Sequence, residues 1–251
     1  MNLDDNKNSP ADQNALYSQR AADFHGLVRG SLRDRDALDH YRRLVRRHGK
    51  TSAIIDIGCG TGDVLNDLST ELTTTRLVGT DIVDDMLAIG RKEAKPPSSS
   101  AQGPTPEFIL GDMHNLSNER PELGKSFDLV ISRWAYHHSL DLGRVFQVTR
   151  SLLKPNGWHV FLSNVVYSGT SSCPFETYKV QLQEDFAVTN YTLTLHQYLS
   201  ALAESRFMIT EVALYAADHK IVQEPRVLWY GEDGLLSVRV FTGVFAAQLV
   251  T

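Results

Sequence analysis

Short apolar runs alternate with stretches of helical apolar spacing over most of this chain. The runs are rich in β-branched residues and predict strands, which we place at Ala53–Ile57, Arg76–Ile82, Glu107–Leu110, Phe127–Ser132 and Trp158–Val166. The stretches between them show helical periodicity and predict helices, at Asp63–Leu72, Asp84–Lys92 and Leu140–Leu153. Such an alternation favours a parallel sheet with right-handed crossovers.

The flanking segments extend this pattern at both ends. Helical spacing predicts helices over Ala11–Val28, Asp34–His48 and Thr194–Ser205, and two further strands follow at Met208–Ala216 and Val238–Gln248. The strand and helix rhythm breaks at about residues 167–193, an aromatic-rich insertion that we expect to form a small helical cap. We expect residues 1–50 to form a helical segment that belongs to this cap, and residues 51–251 to form the main domain.

The composition is that of an ordinary globular protein. Of its 251 residues, 42% are hydrophobic and 22% charged, so neither a disordered nor a fibrous class fits. The net charge of −5 argues against an electrostatic grip on nucleic acid, and the two cysteines imply no disulfide framework. The polar N-terminus lacks a signal-peptide core, and no apolar run reaches the ~18 residues of a membrane span. We therefore expect a cytoplasmic protein that binds neither nucleic acid nor membrane.

A glycine-rich turn follows the first predicted strand, in the sequence Ile54-Ile55-Asp56-Ile57-Gly58-Cys59-Gly60-Thr61-Gly62-Asp63. Because glycine lacks a Cβ, the backbone there can turn sharply and approach a ligand closely. A dinucleotide fingerprint would place its third glycine at position 63, where Asp63 would instead repel a pyrophosphate. Asp56, directly before the turn, can hold a cationic group. The turn therefore favours a ligand with an ammonium and a sulfonium over NAD.

Acidic residues also close the next two predicted strands. Asp81 lies ~20 residues beyond the glycine turn, where α/β nucleotide folds place a carboxylate for the ribose hydroxyls. Asp112 follows the third strand and can accept a hydrogen bond from an adenine amine, while Met113 packs on the ring. Since the carboxyl ends of parallel strands meet at one edge of a sheet, the acidic residues of all these strand ends predict a single site.

Together, these motifs resemble the class I S-adenosylmethionine (SAM)-dependent methyltransferases. The resemblance is to the branch with the D-I-G-C-G-T-G turn and an L-K-P-x-G sequence that ends a helix. The resemblance covers roughly Ala53 to Phe161. It implies an α/β fold with a Rossmann-like, mostly parallel seven-stranded sheet, an antiparallel C-terminal strand, N-terminal helices and a small helical cap insertion. It also implies SAM as cofactor, S-adenosylhomocysteine as product, a small-molecule substrate of secondary metabolism and no metal.

The resemblance carries over to individual positions of this sequence. The glycine turn and Asp56 would hold the amino-acid part of SAM, Asp81 the ribose, Ile82 the adenine ring and Asp112 the adenine amine. The complete set of cofactor residues that it implies is Tyr17, Asp56, Gly58, Gly60, Gly62, Asp81, Ile82, Met86, Asp112, Met113 and Arg133.

The segment after the fourth predicted strand carries the candidate chemistry, in the sequence Ser132-Arg133-Trp134-Ala135-Tyr136-His137-His138. Methyl transfer needs an aligned acceptor and, where the acceptor carries a proton, a base. His137 or His138 is the candidate general base, with packing or helix capping as the alternative role. An amine acceptor can lose its proton to water without a base. The predicted substrate contacts are Trp134, Tyr136, His138 and, in the insertion, Tyr178.

Several alternatives stay open at this point. The fold can use SAM only as a source of positive charge, in a cyclisation or elimination, or the protein can be a SAM-binding partner subunit without turnover of its own. An NAD-dependent dehydrogenase is disfavoured by the missing third glycine. The acceptor atom (O, N or C) and the choice between monomer and homodimer are also open.

Overall fold

A computed structural model describes residues 10–30, 35–50, 52–73, 76–94, 104–168, 177–183, 186–191, 193–216, 229–231, 234–236 and 238–250. Its α-helices are α1 (Pro10–Gln19), α2 (Ala21–Gly30), α3 (Arg35–Gly49), α4 (Asp63–Glu71), α5 (Asp84–Glu93), α6 (Leu116–Glu119), α7 (Leu142–Leu152) and α8 (Leu195–Glu204). Two 3₁₀ turns are η1 (Pro121–Leu123) and η2 (Tyr136–His138). The strands are β1 (Ala53–Ile57), β2 (Arg76–Asp81), β3 (Glu107–Leu110), β4 (Phe127–Arg133), β5 (Leu153–Ser168), β6 (Thr177–Gln183), β7 (Phe186–Tyr191), β8 (Phe207–Ala216), β9 (Trp229–Gly231), β10 (Gly234–Leu236) and β11 (Val238–Leu249).

One seven-stranded sheet organises the fold, with the strand order β3-β2-β1-β4-β5-β11-β8. The strands from β1 to β5 pair in parallel, whereas β11 runs antiparallel to both β5 and β8. The chain leaves β1 towards β2 and β3 and then returns on the other side of β1 to β4. The predicted fold class is thus confirmed, and the point where the strand order reverses lies between β1 and β4, where open α/β sheets bind ligands.

Helices cover both faces of the sheet, which explains why β1 is buried along its whole length. Ile55 and Ile57 point into a core shared with α7 and α8, whereas Ile54 points into a second core shared with α3, α4 and α5. Helix α3 contributes the buried residues Leu38, Tyr41, Leu44 and Val45 to this second core. The division into a segment of residues 1–50 and a main domain of residues 51–251 stays a prediction. Helix α3, which belongs to the first segment, packs directly on the sheet of the main domain.

The insertion differs from the sequence prediction in its secondary structure. Its described residues form an antiparallel hairpin of β6 and β7, with Thr177 opposite Tyr191, and this corrects the helical cap. The physical reason lies in the sequences TYKVQLQ and FAVTNY, in which apolar residues alternate at Tyr178, Val180 and Leu182 and again at Phe186 and Val188, a period of two that suits a strand and not a helix.

The N-terminal helices lie over the switch point of the sheet. The single helix predicted over Ala11–Val28 is divided at Arg20 into α1 and α2, which both contact α5. Ala21, Val83 and Met86 form a small buried cluster between them, with Tyr17 and Phe24 packed against it. Among the described residues, the helices are all too short or too polar to span a lipid bilayer.

Candidate cofactor and active site

A cavity of about 260 Å³ opens at the carboxyl ends of β1, β2 and β4, beneath α1 and α2. It is lined by Asn14, Tyr17, Phe24, Asp56, Gly58, Cys59, Gly60, Thr61, Asp63, Asp81, Ile82, Val83, Met86, Gly111, Asp112, Met113, His114, Arg133, Trp134, Ala135, His138 and Tyr191. The structure therefore brings together the acidic strand ends and the segment that follows β4.

The glycine turn forms one wall of the cavity by interlocking with the loop after β4. Gly58 has a left-handed φ of 69°, and a Cβ at this position would lie 2.3 Å from the Cβ of Ala135. Gly62 also has a left-handed φ, 74°, but it does not line the cavity. It precedes α4, and its missing side chain leaves room for the ring of Phe108, which a Cβ would approach to 2.4 Å. Gly62 therefore supports packing, whereas Gly58 lets the backbone border the ligand space.

Asp56 is a buried carboxyl group on the cavity wall, only 1% exposed. Burial raises the pKa of Asp56 to about 7, the nearby Arg133 lowers it and the charge of Asp81 raises it further. Among the described residues, no hydrogen-bond donor reaches its Oδ1 atom. A buried carboxylate oxygen without a donor is unfavourable by itself, so this site is suited to a ligand that brings a cationic donor.

Asp81 joins the glycine turn to the loop after β2. Its Oδ2 accepts a hydrogen bond from the Gly60 N–H at 2.8 Å, and its Oδ1 accepts one from the Val83 N–H at 3.0 Å. Burial raises the pKa of Asp81, while the backbone N–H groups of Val83, Gly60 and Ile82 act in the opposite direction. Each carboxylate oxygen keeps a second lone pair, so Asp81 is held in place with acceptor capacity to spare for hydroxyl groups.

The end of the cavity formed by the loops after β2 and β3 is apolar apart from Asp112 and His114. Met86 is 2% exposed and packs in the cluster with Val83, whereas Ile82 is 49% exposed at the cavity rim. Asp112 and Met113 border the same space from the loop after β3. This mixture of apolar side chains and one carboxylate suits a flat, partly apolar ring that carries a donor group.

Arg133 and Trp134 close the cavity on the side of β4. The guanidinium carbon of Arg133 lies 5.8 Å from the ring centre of Trp134, within the range of a cation–π contact. Trp134 has a left-handed φ of 55°, which is unusual for a bulky residue. Its backbone N–H donates to the Leu162 carbonyl at 2.8 Å. Both side chains line the cavity, as the sequence predicted for cofactor and substrate contacts.

The two candidate histidines have different surroundings. His138 lines the cavity, and its Nε2 lies 3.2 Å from the hydroxyl of Tyr17, which α1 brings from the opposite side. His137 is 4% exposed and is not on the cavity wall, although its ring centre lies 4.3 Å from that of His138. Of the pair, only His138 has the position that a general base requires.

The structure does not bring Tyr136 to the cavity. Its side chain is fully buried in the core beneath η2, where its hydroxyl forms a 2.9 Å hydrogen bond with Nε2 of His159. Burial lowers the pKa of His159 to about 3, so this pair is neutral. The reason is the tight η2 turn, which directs Tyr136 inwards and His138 outwards. The backbone of Tyr178 lies in β6, but its side chain lies outside the described residues.

Sequence reasoning missed several cavity residues. Tyr191 comes from β7 of the hairpin, so the insertion does contribute to the cavity wall. His114 follows Asp112 at a spacing of two residues, and its Nδ1 lies 2.8 Å from Oδ1 of Asp112. A D-x-H pattern after a strand was the available signal. Asn14 and Phe24 from the N-terminal helices carried no comparable signal, because only the tertiary fold brings them to the site.

The fold and this cavity define a Rossmann-like α/β protein with a site for a nucleoside-type ligand that carries a positive charge. Residues 54–157 match the family model described as "Methyltransferase domain". Residues 54–157 therefore form a methyltransferase domain, and the fold of the described residues is the one seen in SAM-dependent methyltransferases.

Curated relatives resemble part of the chain. A demethylmenaquinone methyltransferase of Thermotoga maritima is 32% identical over 109 residues, which cover 43% of this chain and 42% of the relative. A dTDP-3-amino-3,6-dideoxy-α-D-glucopyranose N,N-dimethyltransferase of Streptomyces fradiae is 34% identical over 122 residues, which cover 46% of this chain and 40% of the relative. The chain thus spans less than half the length of these relatives, and the resemblance covers less than half of this chain.

Solved structures match over a larger part of the chain. A SAM-dependent methyltransferase from Mesorhizobium loti has a TM-score of 0.58 at 21% identity, covering 84% of this chain and 96% of the other. The cyclase SpnF has a TM-score of 0.67 at 13% identity, covering 97% of both chains. At these identities the likeness establishes the fold and leaves the reaction open.

The residues present fit SAM. The unpartnered Oδ1 of Asp56 matches the ammonium of its amino-acid part, and the backbone at Gly58 leaves no side chain in that space. Asp81 has acceptor capacity for the ribose hydroxyls, and Asp112 lies among Met113 and other apolar side chains suited to adenine. Acidic groups along the wall also complement the positive charge of a sulfonium.

Proposed function

We propose that this protein transfers a methyl group from SAM to an oxygen or nitrogen atom of a small molecule, with carbon as a third acceptor. One observation carries the proposal: the buried, unpartnered carboxyl oxygen of Asp56 and the imidazole of His138 border the same cavity. The first group selects a cationic cofactor, and the second can receive a proton from an acceptor. Methyltransferase activity of the curated relatives supports this reaction class.

The residues of the chain have distinct tasks in this reaction. Asp56 and the glycine turn would hold the amino-acid end of SAM, Asp81 the ribose and Asp112 the adenine amine. When bound, SAM would supply a methyl group on a sulfonium, which an in-line acceptor atom could take with S-adenosylhomocysteine as the neutral leaving group. His138 would accept the proton of a hydroxyl acceptor at Nε2 after the hydroxyl of Tyr17 has moved aside.

The acceptor and the setting of the reaction are part of the proposal. The acceptor side of the cavity combines aromatic residues, Trp134 and Tyr191, with the polar His138 and Tyr17. Such a wall suits a small molecule with apolar surface and a single reacting polar group, as in secondary metabolism. We further propose that the protein acts in the cytoplasm and binds neither nucleic acid nor membrane.

A mass balance tests the reaction. Purified protein is incubated with SAM labelled in its methyl group and fractionated metabolites, and we expect a product heavier by one labelled methyl together with an equal amount of S-adenosylhomocysteine. The Asp81→Ala variant should abolish both signals at low SAM concentration, and His196→Ala, an exposed change on α8, should retain them. Failure of the wild-type protein to bind SAM in calorimetry would refute the proposal.

A second candidate is a rearrangement, such as a cyclisation or elimination, in which SAM keeps its methyl group. The fold likeness to the cyclase SpnF over 97% of both chains favours keeping this candidate. The same mass measurement separates the two, because a rearrangement leaves SAM unconsumed and adds no methyl to the product. A protein that binds SAM and turns over only after a second protein is added would instead be a partner subunit.

A further inference from the structure

His114 connects two loops of the cavity that carry different parts of the site. Its Nδ1 lies 2.8 Å from Oδ1 of Asp112, and its Nε2 lies 2.7 Å from Oγ of Ser139, the residue directly after His138. The backbone N–H of His114 also donates to Asp112 Oδ1 at 2.9 Å. One imidazole thus bridges the loop after β3 and the η2 loop after β4.

The protons in this chain of bonds can be placed. The Asp112 carboxylate only accepts, so the Nδ1–H of His114 donates to it, and in the neutral form of the imidazole Nε2 is then an acceptor. The Ser139 hydroxyl then donates to Nε2, and its oxygen accepts the Asp141 N–H at 3.1 Å. Each polar atom in the chain has a partner, and the two loops are held in one arrangement.

The order Asp–His–Ser resembles a hydrolytic triad, but its surroundings exclude that chemistry. Ser139 is 1% exposed and does not line the cavity, so its hydroxyl has no access to a carbonyl group of a substrate. His114, in contrast, borders the cavity. The bonds of this histidine therefore serve to hold other groups.

We propose that His114 is a positioning residue that links the adenine end of the cofactor site to the loop of His138. Its bond to Oδ1 fixes the Asp112 carboxylate, so that Oδ2, whose single partner among the described residues is a long 3.4 Å bond from Asn115, accepts the adenine amine. Its bond to Ser139 fixes the end of η2 and with it the imidazole of His138. Occupation of the adenine end is thereby transmitted to the acceptor end. This inference rests on the proposed function.

Two substitutions separate the two bonds of His114. The side-chain amide nitrogen of asparagine can occupy the position of the imidazole Nδ1. The side-chain amide nitrogen of glutamine can occupy the position of the imidazole Nε2. His114→Asn therefore keeps the bond to Asp112, and we expect its affinity for S-adenosylhomocysteine to stay within about twofold of wild type. His114→Gln keeps the bond to Ser139 and leaves the backbone N–H of residue 114 as the donor to Asp112 Oδ1. We expect its affinity to be about tenfold weaker, as for the loss of a hydrogen bond to a charged group. The control is His196→Gln.

Histidine ¹⁵N NMR tests the link from His114 through Ser139 to His138 without requiring turnover. Adenosine, which has no amino-acid part, is added to the ¹⁵N-histidine-labelled protein, and the His138 signal is assigned by its loss in His138→Gln. We expect adenosine to shift the His138 resonance in the wild-type protein and in His196→Gln. In His114→Asn and in Ser139→Ala the shift should fall at least several-fold, although adenosine still binds.

The outcomes are distinguishable. If His114→Gln binds S-adenosylhomocysteine like the wild-type protein, or if the His138 shift persists in both His114→Asn and Ser139→Ala, the link is refuted while the proposed function stands. If the wild-type protein binds neither adenosine nor S-adenosylhomocysteine, the proposed function itself fails. Ser139→Ala, a small change with conserved packing, provides the test if a His114 variant does not fold.

Discussion

Replacing Asp56 by asparagine should make the ligand-free protein more stable and the SAM complex weaker. Burial at 1% exposure raises the pKa of Asp56 to about 7 from an ordinary value of 3.8. A difference of about three pH units corresponds to about 4 kcal/mol between the ionised and the neutral form in the folded state. Because an amide resembles the neutral acid in size and charge, Asp56→Asn removes this penalty.

The way in which the stability of the wild-type protein changes with pH follows from the raised pKa of Asp56. Below pH 3.8 the carboxyl group is neutral in both folded and unfolded chains, and the wild-type protein bears no penalty. Between about pH 4 and 7 the unfolded chain ionises first, so the wild-type protein loses stability as the pH rises, and above 7 the loss is constant. Urea unfolding should show Asp56→Asn more stable by as much as about 4 kcal/mol at pH 7.5, and nearly equal to wild type at pH 4.

Cofactor binding should change in the opposite direction. The ammonium of SAM needs the ionised carboxylate, so wild-type affinity measured by calorimetry should fall about 20-fold from pH 7.5 to pH 5.5, as the ionised fraction of Asp56 decreases. Asp56→Asn should bind SAM about 10- to 100-fold more weakly at pH 7.5, with little dependence on pH. Wild-type and variant curves that decline in parallel with pH, or a variant that binds like wild type, would refute the assignment.

Further substitutions test the other walls of the cavity. Asp81→Ala should weaken SAM binding by about tenfold or more in calorimetry, since it removes the ribose acceptors and the Gly60 contact. Gly58→Ala should destabilise the fold by about 2 kcal/mol or more in urea unfolding, because its φ is 69° and its Cβ would meet that of Ala135 at 2.3 Å; adding Ala135→Gly should recover the steric part only. His138→Ala should lower turnover by about 100-fold with SAM affinity retained, whereas His137→Ala should mainly lower stability.

Each of these expectations has a contrary result. An Asp81→Ala variant that binds SAM as tightly as the wild-type protein would show that the cofactor does not bind at this edge of the sheet. A Gly58→Ala variant as stable as the wild-type protein would show that the two loops can separate. Undiminished turnover in both histidine variants would eliminate the general base and favour an acceptor that loses its proton to water.

The sheet and the cofactor end could be predicted because their signals are local. The strand Ala53–Ile57 was predicted at its observed bounds, since five consecutive buried residues leave a continuous apolar run interrupted only by Asp56. Glycines and acids at strand ends are likewise adjacent in sequence to the elements that place them. Gly62 shows the limit, because its contact with Phe108 of β3, which leaves no room for a side chain, is not apparent from the sequence.

The acceptor end could not be predicted to the same degree, because it depends on contacts between distant segments. The direction of each side chain in the Tyr136–His138 turn follows from η2 geometry, which the sequence does not reveal. The bond between His114 and Ser139 joins residues 25 positions apart in the chain. The aromatic content of the insertion does not distinguish a helix from a hairpin, and only the alternation of apolar residues in β6 and β7 indicates strands.

The left-handed backbone of Trp134 has a consequence for protein engineering. A bulky residue at a φ of 55° is disfavoured by about 1–2 kcal/mol, so Trp134→Gly would relieve local strain while it removes an aromatic wall of the cavity and the packing of the indole against the core. Selection for heat resistance therefore acts on this residue through backbone strain and packing, and not through the acceptor that the indole borders. Libraries screened for thermostability should hold position 134 fixed if the natural choice of acceptor is to survive.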